Sequence, residues 1–452
     1  MKVTFKACTT AVLLILLFFP QITQAQEQIN LSLEEAIELA LEHNREIRIA
    51  KYGVEAAESG VKEVTGGFLP EISVSAQYNR NVKKPVIFLG GGFPGMEGGP
   101  SSIEVGSNNS YQASLSATMP VYSRQLFKAR EAAMLNQELS ETDLLLITNN
   151  VIANVKTAYY SALLTEEVVE ITELRVRNAE EQFETTKRLF EEGLATEYDL
   201  LVAEVQLENL RPELLQAQDD AEITKLQLKQ VVGIVDAGPV HLSDELSPVT
   251  LYAAGQEEML NTTLRNNLQL QLLENRLSIL KTNTELERSA LYPTLSAFGN
   301  YSYQTEDDTF KFSEYDWVNS AAIGLSIQVP IFAGNSRRER ITQAEISIKQ
   351  AMEETEMSRE AIVTEVRSAS NRLEQIKKRL DATEQALKQA ERAYELSVLR
   401  FEEGLGTQVE INDSELAFAT SRFNHLQAEY DYQIALTTLQ QLQGSLIRGR
   451  NN

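Results

Sequence analysis

One cysteine and three histidines stand in 452 residues, and each scarcity removes a class of protein. The single cysteine, Cys8, excludes a disulfide framework, and no cysteine nucleophile is available. His43, His241 and His425 are scattered without ligand spacing. The glycine run from Gly90 to Gly99 lacks the Lys-Ser/Thr of a phosphate loop, and no G-x-S-x-G elbow exists, so no catalytic, cofactor or metal residue is expected. Positive charge is in deficit too: 41 Lys and Arg face 65 Asp and Glu, a net charge of −24. That acidity argues against nucleic acid, and against anionic lipid, as the main partner. Beyond residue 25 no apolar run reaches the roughly 18 residues of a transmembrane helix, so a chain that spans a membrane must do so with strands.

What is present begins with an export signal. Lys2 and Lys6 precede an apolar run from Ala11 to Phe19, and Thr23-Gln24-Ala25 forms a small-x-small cleavage site, so residues 1–25 are expected to be removed. Cys8 lies inside this segment and offers no lipid-modified terminus. The remainder says nearly the same thing twice. Phe190-Glu191-Glu192-Gly193-Leu194-Ala195-Thr196 returns 211 residues later as Phe401-Glu402-Glu403-Gly404-Leu405-Gly406-Thr407. Gly233 and Gly444 keep the same interval, Pro120 and Pro330 lie 210 apart, and Pro70 and Pro293 lie 223 apart. A tandem duplication is expected, with repeats at 26–233 and 257–444, a joining segment at 234–256 and a polar tail at 445–452.

Each half reads as helix, strand, loop, strand, very long helix, turn, helix. Ser32 and Glu35 form a capping-box signature opening a helix that runs to about Thr65, where Gly66-Gly67 stops it. Ile72, Val74, Ala76 and Tyr78 alternate with polar residues, and the pattern recurs over Tyr111–Val121, Leu295–Tyr303 and Ala321–Val329, giving four amphipathic strands. Phe298 breaks the polar face of the third, and Leu89–Pro100 reads as a glycine-rich loop. Tyr111, Tyr292, Tyr301, Tyr303, Tyr315 and Trp317 lie where interfacial aromatics would sit if the apolar faces touched lipid; a soluble sandwich edge has the same alternation. From about Arg124 to Glu192 and Asn335 to Glu403 no proline interrupts the chain. Stretches of roughly 70 residues at 1.5 Å rise make rods about 100 Å long. Ala386, Ala390, Ala393 and Ser397, and likewise Ile341, Ile348 and Met352, form narrow stripes suited to neighbouring helices. Return helices are expected over Tyr198–Val231 and Val409–Leu442, with Pro212 kinking or breaking the first, and Gly193 and Gly404 left-handed at the reversals.

Four strands cannot close a transmembrane barrel, for which about 8 is the bacterial minimum, and an open edge in lipid leaves backbone groups unsatisfied. Closure needs several copies, and three would supply twelve strands. The two F-E-E-G-L-x-T turns, the strand entries at Leu69-Pro70 and Tyr292-Pro293, and the strand exits at Pro120 and Pro330 together resemble the TolC-like outer-membrane efflux proteins, over the span from Leu31 to about Gly444. The resemblance implies a mixed α+β membrane protein, a trimeric twelve-stranded β-barrel continued by a long periplasmic α-helical barrel. It implies a homotrimer in outer-membrane lipid that docks a periplasmic adaptor (membrane fusion) protein and an inner-membrane transporter, exports material and catalyses nothing. The competing reading is a non-spanning periplasmic coiled-coil adaptor or structural protein, which would carry one helical hairpin among compact β domains.

Two sites follow. Gly193, Leu194 and Thr196, with Gly404, Leu405 and Thr407, sit at the rod ends and are expected to contact the adaptor. Glu410 and Asp413, three apart on one helix face, match the acids of the family's tunnel-end constriction. The first repeat has Asp199 but Val202 in place of a second carboxylate, which singles out the second hairpin as pore-lining. No basic residue is expected beside the acidic pair in the turn.

Overall fold

The computed structural model describes residues 29–88, 102–235, 238–246 and 255–448. The signal segment 1–25 with Cys8, the glycine-rich loop Leu89–Pro100, parts of the joining segment and the tail beyond 448 lie outside the described residues. The chain forms two units: 49–147 with 264–364, and 1–48 with 148–263 and 365–452.

The first of these units is built on one antiparallel sheet. Helix α1 (Leu33–His43) belongs to the other unit, as does β1 (Ile29–Leu31); α2 (Arg45–Gly66) leads into β2 (Glu71–Arg80). A short hairpin of β3 (Val86–Phe88) and β4 (Ser102–Glu104) precedes β5 (Asn109–Tyr122), so the flanks of the expected loop are themselves paired. Strands β7 (Thr294–Asp307) and β8 (Val318–Gln328) complete the order β2-β5-β7-β8, with β2 and β8 at the edges. The period-2 alternation sets the faces. Val74 pairs with Leu115, Leu115 with Tyr301 and Gly299 with Ile323, so apolar side chains share one side. Serines share the other, in hydroxyl ladders Ser73–Ser116 (2.8 Å), Ser75–Ser114 (2.7 Å) and Ser302–Ser320 (2.7 Å). The apolar side is uncovered in the single chain: Val74 is 76 % and Ile323 91 % exposed. Phe298, on the serine face, has its own reason. It pairs with Gly324, where a Cβ would lie 2.8 Å from its ring, so the aromatic covers a glycine. Register slips between Pro120 and Tyr122, as expected where proline has no N–H to give the ladder.

The long helices α3 (Arg124–Glu191) and α7 (Ser336–Glu402) run 68 and 67 residues, as the uninterrupted stretches require. Their return helices are α4 (Glu197–Val232) and α8 (Gln408–Leu442). Pro212 does not break α4, which is continuous through it. The proline is exposed, so water can satisfy the carbonyl that loses its partner. Within the second unit the helices pack through four-three spacing: Val366, Ala369, Leu373 and Ile376 on α7, and Ala428, Tyr432, Ala435 and Leu439 on α8, are buried. The stripes named from sequence are shallower, since Ala390, Ser397, Ile341 and Ile348 are half-buried and Ala386, Ala393 and Met352 exposed.

One expected helix is two. The Ser32–Glu35 capping box exists, but α1 stops at His43 and α2 starts at Arg45. Asn44 lies between in extended conformation, its Oδ1 accepting from Glu46 N (2.8 Å) and Ile47 N (3.3 Å) while its Nδ2 donates to Val231 O (2.8 Å). A side chain that caps one helix and ties down another divides the single helix expected from Ser32 to about Thr65. Its counterpart 223 residues later, Asn267, separates α5 (Gln256–Asn266) from α6 (Leu268–Ser289), accepting from Leu270 N at 3.0 Å. Sequence reading also missed the parallel pairing of β1 with β6 (Val240–Leu242). Tyr159 locks it: fully buried, its hydroxyl donates to Asp244 Oδ2 (2.7 Å) and lies 2.9 Å from Leu31 O, while Leu33 N donates to the same carboxylate oxygen at 2.8 Å. Burial, with the carboxylate beside it, holds the Tyr159 hydroxyl far above the usual phenol range. A short α9 (Ser445–Arg448) ends the described chain.

Candidate functional site at the hairpin tips

Both reversals use the same device. Gly193 has φ +76° and Gly404 φ +72°, left-handed values that a Cβ disfavours. Leu194 N donates to Leu189 O (2.7 Å) and Gly193 N to Phe190 O (3.0 Å); Leu405 N donates to Arg400 O (2.8 Å) and Gly404 N to Phe401 O (2.9 Å). These are paired 6→1 and 5→2 bonds, which satisfy the last carbonyls of the rods. The geometry leaves each leucine outside, Leu194 and Leu405 both 73 % exposed. Thr196 and Thr407 cap the return helices, accepting from Asp199 N and Glu410 N at 3.2 Å each. The threonine of the repeated motif therefore fixes where the next helix starts.

The two tips then diverge. Asp199 folds its carboxylate back onto Thr196, 3.0 Å from N and 2.6 Å from Oγ1, closing a capping box. Glu410 does not. Its Oε2 lies 3.8 Å from Arg400 Nη2, which also donates to Leu405 O at 3.1 Å. The expectation that no basic residue stands beside the acidic pair is thereby corrected. Arg400 is the last-turn residue of α7, and Leu189 occupies its place in the first repeat, so the comparison of repeats could have revealed it. Asp413 is exposed and, among the described residues, makes no hydrogen bond or ion pair.

Behind the second tip, α8 is bolted to α3. Gln408, 1 % exposed, accepts from Gln182 Nε2 (2.9 Å). Arg175 donates to Glu415 Oε1 through Nε and to Glu213 Oε2 through Nη1, both at 2.8 Å. Removing Arg175 would leave a buried carboxylate unpaired, which costs about 3–5 kcal/mol. Nothing in the linear pattern distinguishes Glu213 and Glu415 from the other helix glutamates; tertiary packing does.

Further along α8, Glu429 is pushed up to about 7, by burial first and by the Glu167 carboxylate second. Glu167 is also raised, chiefly by burial, although Arg422 lies 3.8 Å away. His425 Nε2, 3.6 Å from Glu429 Oε1, opposes the rise only when protonated. A carboxyl raised in the folded state binds its proton more tightly there than when unfolded, so this contribution is most favourable at low pH and is lost as pH rises from about 4.5 to about 7. Glu429→Gln should therefore raise the thermal midpoint at pH 8 by several degrees, about 2–3 kcal/mol at most, with the gain shrinking towards pH 5. Equal gains at both pH values in thermal scans would contradict the assignment.

With this geometry in view, the family profile described as "Outer membrane efflux protein" matches residues 36–234 and 259–445. The chain belongs to that family. It is 22 % identical over 393 residues to the outer membrane protein TolC of Vibrio cholerae, covering 87 % of this chain and 86 % of that one. It is 20 % identical over 342 residues to the alkaline protease secretion protein AprF of Pseudomonas aeruginosa, covering 75 % and 70 %. Among solved structures, the outer membrane protein VceC of Vibrio cholerae superposes with a TM-score of 0.71 at 16 % identity, covering 91 % of this chain and 96 % of that one. The fold is that of these outer-membrane efflux channels, a family of channel proteins.

Proposed function

We propose that three copies of the chain close a twelve-stranded barrel in the outer membrane and continue it as a helical tunnel in the periplasm. The chain is an outer-membrane channel component of a tripartite efflux or secretion system. On this reading it is a passive duct that catalyses no reaction, loaded by an inner-membrane transporter through a periplasmic adaptor. The observation that carries the reading is the sheet itself: four antiparallel strands, two of them edges without partners among the described residues, with an exposed apolar face opposite a serine ladder. No helix among the described residues is long and apolar enough to cross a membrane, and the exposed apolar face of the sheet supplies a surface for lipid. Open edges in hydrocarbon cost several kcal/mol per unsatisfied group, which favours closure against further copies.

The remaining assignments belong to the same proposal. Residues 1–25 direct export, 26–233 and 257–444 are copies of one unit joined by 234–256, and 445–452 form a polar tail. Leu194 and Leu405 are the adaptor contacts, held out by Gly193 and Gly404 and positioned by Thr196 and Thr407. Glu410 and Asp413 form the acidic constriction. Fractionation tests the whole: the protein should be recovered from outer membranes and migrate differently on gels when boiled. Recovery only from the soluble periplasm would favour a non-spanning adaptor and overturn the channel.

A further inference from the structure

We propose that the groove between the end of α2 and the start of α3 binds one anionic phospholipid of the inner leaflet, its phosphate between Lys62 and Arg130. The proposal rests on the outer-membrane reading, which sets the depth: α2 ends at Gly66, β2 begins at Glu71, β5 ends at Tyr122 and α3 begins at Arg124, so the groove lies where helices give way to strands.

The groove has a volume of about 560 Å³ and is lined by Val61, Phe68, Leu69 and Phe127, with Lys62 and Arg130 among them. The rings of Phe68 and Phe127 meet at 5.1 Å and 58°, forming an apolar wall from two elements. Leu69 and Phe127 remain 66 % and 54 % exposed, too much apolar surface to leave to water at the foot of a strand. The α2 end is fixed closely against α3, since a Cβ at Gly67 would lie 3.1 Å from Leu126 Cδ1.

Charge decides the occupant. Nearby cations are already matched: Lys128 pairs with Glu131 at 2.6 Å, and Arg124 lies 3.8 Å from Glu285 and 4.1 Å over the Tyr292 ring. Lys62 and Arg130 are exposed and, among the described residues, pair with nothing, although the chain carries a net charge of −24. Overall acidity excludes a general attraction to anionic membranes; it makes two unmatched cations beside an apolar wall a local exception. An apolar wall under a cation pair fits an acyl chain under a phosphate, and each cation near an anionic headgroup contributes about 1 kcal/mol.

Native mass spectrometry of the full channel released from detergent, with phosphatidylglycerol and phosphatidylcholine as probes, tests the site. Retained phosphatidylglycerol in preference to phosphatidylcholine is expected, and Lys62→Gln with Arg130→Gln should weaken it about tenfold or more. Phe127→Ala should weaken both lipids. Unchanged phosphatidylglycerol retention in the double variant, with heat-modifiable migration intact, overturns the site while leaving the channel standing. Displacement by inorganic phosphate would make it a free-anion site and overturn the lipid. Protection of Lys62 from amine-reactive labelling in lipid-free trimers would show that a second copy covers the groove, and would overturn it equally. Loss of heat-modifiable migration in the wild-type protein would instead defeat the outer-membrane reading itself.

Discussion

Replacing Leu194 and Leu405 together by Asp should abolish export while leaving the fold intact. Each leucine is 73 % exposed beside a left-handed glycine, so the substitution removes almost no packing and should change stability by about 0.5 kcal/mol or less. The backbone bonds that form the turns run from Leu194 N and Leu405 N, not from the side chains, and survive the change. At a partner surface the balance is different. Full burial of a leucine contributes about 1.5–3 kcal/mol, and a carboxylate in its place adds a desolvation cost. Six such positions around the proposed trimer add up to a loss beyond what an assembly of ordinary affinity tolerates. Cargo release and site-specific crosslinking to the adaptor measure it, and undiminished crosslinking in the double variant would remove the tips from the interface. Alanine at Thr196 and Thr407 should act differently, by fraying the caps of α4 and α8.

Where local chemistry governs, the sequence was legible. The strands alternate with period 2 because successive side chains take opposite faces of the sheet, one apolar and one lined by serine, and glycine at 193 and 404 marks the reversals because few other residues accept positive φ. Rod lengths follow from the absence of proline. What escaped was non-local. Asn44 divides the expected single helix, and besides its local cap it is held by Val231, far along the chain, which accepts its amide. The three-residue pairing of β1 with β6 leaves no periodic trace, and it is recognisable only once Tyr159 and Asp244 meet. Pro212 does not end its helix, because a rule about helix interiors weakens at an exposed position. At the tip, the family resemblance pointed to Glu410 but not to its neighbour Arg400, since a last-turn arginine on one helix and a first-turn acid on the next are brought together by the reversal between them.

That arginine changes what neutralising the acids should do. In the proposed trimer, Glu410 and Asp413 place six carboxylates around one axis, with three Arg400 side chains beside them. The Arg400–Glu410 separation of 3.8 Å, with both side chains about half exposed, makes a weak pair that offsets but does not cancel the acidic charge. The wild-type channel should therefore favour cations, less strongly as salt rises and the screening length falls from about 10 Å at 0.1 M to about 3 Å at 1 M. Glu410→Gln with Asp413→Asn leaves the arginines unbalanced, so single-channel recordings should show loss of cation preference and of divalent-cation block, with a shift towards anions. Arg400→Ala should move selectivity the other way, strengthening the cation preference at low salt. If both variants conduct as the wild type does at 0.1 M salt, these residues lie away from the conduction path, and Glu410 is only an ordinary acid near a helix N-terminus, where negative charge is favourable in any case.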